Sequence, residues 1–85
     1  MYCHAIIQDS VEKGEHQIYV VETTKHLELA KDSLATGIED FKELVKGCGW
    51  HVAKETDTEF EAYQNSYDGK RCYKLWIQKV ICRED

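Results

Sequence analysis

Three groups of side chains in this chain could do chemistry. The first is an alternating row of carboxylates, Glu55, Asp57, Glu59 and Glu61, interleaved with Thr56, Thr58, Phe60 and Ala62. In an extended strand, successive residues on one face lie roughly 6.5–7 Å apart, close to the phosphate spacing along a nucleic-acid strand. Such a row would offer a phosphate-like surface to a basic cleft, and would bind rather than catalyse. The second is Cys48-Gly49-Trp50-His51, whose Cys-x-x-His spacing can bite one zinc, with Cys3 and His4, or Cys72 and Cys82, completing four ligands. Structural sites normally show two tight ligand pairs and only Cys48/His51 forms one, so no metal and no cofactor are expected. The third is Tyr63, Arg71, Lys74 and Trp76, which could stack on a base and meet a phosphate. Glu59 and Glu61 beside them would repel that phosphate.

Nucleophilic catalysis finds little support. Cys48 follows the helix expected before it, where the dipole raises a thiol pKa instead of lowering it. His4, His16 and His26 are scattered with no pairing spacing, and no glycine-rich elbow or serine motif accompanies them. The chain is not expected to be an enzyme.

The elements that must position these groups follow from patterning. Asp68-Gly69 between two alternating runs is a strong hairpin signal, because both residues of such a turn take φ > 0. A turn there pairs Tyr67 with Lys70, Tyr63 with Lys74 and Glu61 with Trp76. Alternation then sorts the side chains. Phe60, Ala62, Tyr73, Leu75 and Ile77 form a core face, and Glu59, Glu61, Tyr63, Lys74, Trp76 and Gln78 form an opposite one. Upstream, the runs 2–9 and 16–23 read as strands of a first hairpin with a longer loop around Gly14. Thr36-Gly37-Ile38-Glu39 has the form of a capping box. Ile38, Phe41, Leu44 and Val45 follow at helical spacing, and Gly47 and Gly49 supply a left-handed stop. Leu27, Ala30 and Leu34 share the same phase, so one helix over about 25–46 competes with a break at Gly37. Trp50-His51-Val52-Ala53 restarts the chain as a strand. The expected fold is α+β: an antiparallel sheet of about four to five strands in ββαβββ order, with one main helix packed on one face.

Size and composition set the frame. The chain has 85 residues, 42% hydrophobic and 32% charged, with net charge −5. That suits a single small domain, 1–85, with one modest core and a use for dimerisation. There is no membrane-spanning run and no signal-peptide pattern. Four cysteines without a secretory signal imply free thiols in a cytoplasmic setting. The acidic balance argues against direct nucleic-acid binding and fits a basic protein partner better.

The junction Phe41-Lys42-Glu43-Leu44-Val45-Lys46-Gly47-Cys48-Gly49-Trp50-His51-Val52, followed by a hairpin, resembles that of small uncharacterised bacterial β-α-β-β proteins. In those, a helix ends in Leu-x-x-x-Gly-x-x-Gly-Trp before the next strand. The likeness spans roughly residues 17–80, and here the glycines stand as Gly-x-Gly. It implies a small β-α-β-β fold and no known activity.

These readings converge on a non-catalytic protein-binding module. Its surface would combine Glu55, Asp57, Glu59 and Glu61 with Tyr63, Lys74 and Trp76, against a basic partner. Such a surface would suit a phage or mobile-element inhibitor of a nucleic-acid-handling host defence enzyme. The alternatives are an oligomer that sequesters a nucleotide-like ligand or a metal through Cys48 and His51, and a structural homo-oligomer such as a homodimer, with Trp76 and Tyr63 between subunits. A solvated, charged strand face is the plain reading of the same residues.

Overall fold

A computed structural model of the chain describes residues 2–66 and 69–81. Strand β1 (Tyr2–Glu12) turns into β2 (Glu15–Thr24), the helix α1 spans Leu27–Leu44, and β3 (His51–Glu55), β4 (Glu59–Ser66) and β5 (Gly69–Ile81) follow. The strands form one antiparallel sheet in the order β2-β1-β5-β4-β3. This is the expected α+β fold, five strands in ββαβββ order with one helix on the sheet.

The first hairpin is tighter than its sequence suggests. Lys13 and Gly14 take φ of 53° and 81°, so two left-handed residues close it directly between Glu12 and Glu15. The glycine tolerates this conformation freely, and its twist matches that of the flanking strands. β1 then pairs with β5 from Tyr2↔Ile81 to Val11↔Cys72, which places the chain's first strand inside the sheet, between β2 and β5.

The last hairpin departs from expectation by two residues. Its ladder closes at Ser66↔Gly69, and Glu61 lies opposite Lys74, Phe60 opposite Leu75 and Glu59 opposite Trp76. The expected Asp68-Gly69 turn and the Tyr67–Lys70 pair lie partly outside the described residues, while Gly69 itself opens β5. A shift of two preserves parity, so every side chain keeps the face that alternation assigned to it.

The helix runs through Gly37 without a break. Thr36, expected as a cap, instead donates its hydroxyl to the Asp32 carbonyl at 3.1 Å, one turn back inside the helix. The start lies at His26, whose amide reaches the Thr24 hydroxyl. Gly37 faces the sheet, where a Cβ would sit 3.5 Å from Leu75 Cδ1. Ala30, Leu34, Ile38 and Phe41 form the buried stripe. Leu44, expected within it, is 81% exposed, because the helix ends there and Val45 takes up the packing. Ile6, Leu34, Ile38, Phe41, Phe60, Ala62 and Leu75 make one core cluster between helix and sheet. Phe41 stacks flat on Tyr73 with centroids 3.9 Å apart and meets Trp50 edge-on at 5.2 Å.

Cys3 is disulfide-bonded, which corrects the expectation of four free thiols, while Cys48 and Cys72 are free. Cys82 lies outside the described residues. No described helix is long and apolar enough to cross a membrane.

Candidate functional site

The helix covers one side of the sheet, and the other side carries residues the sequence singled out. Cross-strand register sets out its rows. Val20, Ile7, Trp76 and Glu59 lie in line across β2, β1, β5 and β4. The next row is Ile18, Asp9, Lys74, Glu61 and Lys54, and the one after is His16, Val11, Cys72, Tyr63 and His51. One row is therefore largely apolar, and its neighbour alternates in sign across β1, β5, β4 and β3.

Aromatic and charged contacts organise this face. Lys70 Nζ sits 4.9 Å from the Tyr63 ring centroid, and the His51 ring lies 5.3 Å from it. Lys54 pairs with Glu59, and its pKa is raised by the hydrogen bond and charge of Glu59, with a smaller contribution from Glu61. Asp9 is met by His16 Nδ1 at 3.2 Å.

The row of four carboxylates is broken. β3 ends at Glu55 and β4 begins at Glu59, so the chain turns through Thr56, Asp57 and Thr58. Thr56 Oγ1 accepts the amides of Thr58 and Glu59 at 3.3 and 3.0 Å, and the Thr56 amide donates to the Glu59 carbonyl at 2.8 Å. Glu55 pairs with Lys42 and Asp57 with Lys31, both on the helix. The Lys31 pKa is raised, first by its hydrogen bond to Asp57 and then by the charges of Asp57 and Glu28. Only Glu59 and Glu61 stand on the face with Tyr63, Lys74 and Trp76. The missed signal was Thr-Asp-Thr, a turn-favouring triplet hidden inside an alternating pattern.

Arg71 also parts from its expected companions. It lies opposite Gln64 on the helix side of the hairpin, and its guanidinium meets Glu12 at 3.0 Å. It cannot act with Tyr63, Lys74 and Trp76 on one nucleotide. A groove of about 540 Å³ opens there, between the second half of α1 and strands β1 and β5, with Phe41, Trp50, Tyr73, Asp40, Glu12 and Arg71 on its walls. Burial raises the Tyr73 pKa, and its hydroxyl donates to Gln8 Oε1 at 3.2 Å.

Cys48 is exposed, with its thiol 3.8 Å from the Lys46 carbonyl, and His51 turns toward Tyr63. Among the described residues no group of three or more His, Cys, Asp and Glu side chains gathers around a common point. Ile7, Ile18 and Val20 joined the candidate surface only through the structure. Comparison with protein-family models, curated proteins and solved structures finds no match to this chain.

Proposed function

We propose that this protein is a non-catalytic protein-binding module whose working surface is the sheet face opposite the helix. The observation that carries this reading is the row Val20–Ile7–Trp76, apolar across three strands and bordered by the charges of Asp9, Lys74, Glu61 and Lys54. An aromatic anchor within an apolar row, rimmed by charge, has the composition of an interface hot spot. Tyr63, one row beyond those charges, adds a second aromatic ring to the face, and Glu59 and Glu61 favour a partner with basic residues at the rim. The finer reading, an inhibitor of a nucleic-acid-handling host defence enzyme, rests on acidity and size and on these two carboxylates.

The test is affinity capture from a lysate of the cells that make the protein. A Trp76→Ser, Tyr63→Ser bait is compared with wild type and with a Leu44→Ser bait altered on the helix side. Circular dichroism verifies that all three fold. A protein retained by wild type and Leu44→Ser but lost from the Trp76/Tyr63 variant supports the reading. Equal retention by all three sinks it.

A second reading, small-ligand binding, is favoured by the groove beside Phe41, Trp50 and Tyr73, whose aromatic walls and few polar groups suit a small planar molecule. In a Trp76→Phe variant, Trp50 is the only tryptophan. Its fluorescence responds to a compound that enters the groove.

A further inference from the structure

We infer that the protein forms a two-fold dimer by pairing β2 with β2 of a second copy, the axis passing through Tyr19. The sheet has two edges, and they differ. β3 is five residues long and carries Lys54, two features that discourage strand addition. β2 is ten residues long, and Ile18, Tyr19, Val20 and Val21 are 62%, 53%, 64% and 57% exposed. It contains no lysine and no proline. Its one irregularity is the bulge near Val21, and the ladder from Ile7↔Val20 to Glu12↔Glu15 is unbroken. Four consecutive exposed apolar residues on an open edge are the feature that folded proteins otherwise suppress.

The sequence of β2 identifies a second copy as the occupant. A two-fold axis perpendicular to the sheet sets residues of the same face opposite one another, so the axis must pass through a residue. Centred on Val20, it would set Tyr19 and Ile18 against the bulge at Val21 and the displaced residues beyond it. Centred on Ile18, it would set Val20 against His16 and Val21 against Glu15. Centred on Tyr19, it sets Ile18 against Val20 twice, both within the part of β2 whose ladder with β1 is unbroken. Ile18 and Val20 share the sheet face opposite the helix, since their β1 partners are Asp9 and Ile7. Pairing would thus join the two apolar rows, so that one band runs from Trp76 of one copy to Trp76 of the other.

Shape points the same way. The radius of gyration is 14.0 Å, against about 12 Å for a typical globular chain of this length. Every residue of β2 before Thr24 is exposed, so the helix leaves this strand largely uncovered. A single strand pair buries area at the low end for a specific interface, so the dimer should dissociate on dilution. This proposal stands independently of the binding role proposed for the sheet face.

The experiment is sedimentation equilibrium of the full chain over a dilution series, with Val20→Lys and Ile18→Lys beside wild type. Both positions are exposed in the monomer, so the variants should fold, and circular dichroism verifies this. Wild type is expected to shift from dimer to monomer on dilution. Each lysine variant should raise the dissociation constant at least about tenfold, as a charge is forced against an apolar side chain in both halves of the pair. Oxidative cross-linking fixes the register in a Cys48→Ser, Cys72→Ser background. Tyr19→Cys should cross-link to itself, because directly opposed Cα atoms lie within disulfide reach. Gln17→Cys should not, because its copies are four positions apart along the strand, roughly 13 Å. A wild type that is monomeric at every concentration overturns the proposal. So does a dimer that survives both lysine variants, or one that cross-links as readily through residue 17 as through residue 19.

Discussion

Tyr73 and the cysteines are where single residues depart most from what their types suggest. The Tyr73 ring lies flat on Phe41 and its hydroxyl donates to Gln8, so Tyr73→Phe keeps the stack and removes one hydrogen bond. The expected cost is about 0.5–1.5 kcal/mol, read as a lower urea midpoint at constant slope. Burial raises the folded pKa of Tyr73 above its ordinary value of 10.0, so the folded state holds this proton when the unfolded chain releases it. Stability from this group is complete below the ordinary tyrosine pKa and is lost as pH rises through the folded value. Tyr73→Phe should flatten that alkaline decline, as denaturant curves recorded across the range will show. Alkylation separates the thiols: without reductant, iodoacetamide should label Cys48 fastest and Cys72 more slowly, and Cys3 only after reduction. Labelling of Cys3 without reductant would contradict its disulfide. Much of the candidate surface was legible at this scale, because alternation alone placed Glu59, Glu61, Tyr63, Lys74 and Trp76 together. Glu55 and Asp57 were misplaced because strand periodicity carries no mark of where one strand stops. Thr56 turns the chain with its hydroxyl, and nothing in the carboxylate spacing reports that.

Among the elements, the helix shows most directly why local signals mislead. Thr36 and Gly37 resemble a start and a break, yet packing carries the helix across both, as tertiary contacts commonly override propensity. Gly37→Ala therefore offers a sharp check. The position has ordinary helical backbone, and a methyl there meets Leu75 at normal contact distance. The substitution should stabilise the protein by about 1 kcal/mol and raise its melting temperature. Leu34→Ala, at a fully buried position on the same helix, should cost about 2–5 kcal/mol. A destabilising Gly37→Ala would mean that helix and sheet approach more closely there than the 3.5 Å contact implies. The hairpins were readable from their glycines, though each closes differently from expectation. Which of Ile6 and Ile7 faces the core was beyond pattern reading, since two adjacent apolar residues are compatible with either face. It resolves with Ile6 in the core and Ile7 on the opposite face, once β1 is fixed between β2 and β5.

For the whole molecule, the decisive contact is the one that sequence proximity could not suggest: β1 against β5, at opposite ends of the chain. It inserts the first hairpin beside the last, so that β1, β5 and β4 are each paired on both sides. All three are tied to the core cluster, β1 through Ile6, β5 through Leu75 and β4 through Phe60 and Ala62, whereas β3 is exposed throughout and β2 nearly so. Local opening should follow that order, because strands with few buried contacts separate at less cost than the global unfolding that frees the core. Native-state hydrogen exchange of a dilute sample should give β1, β4 and β5 protection close to the global stability, and β2 and β3 the least. Raising the protein concentration should then slow exchange in β2 while leaving β3 unchanged, because pairing two copies at Tyr19 occupies one edge and not the other. Equal protection of β2 and β3 at every concentration would show instead that both edges stay open and that the exposed run from Ile18 to Val21 has no partner of its own kind.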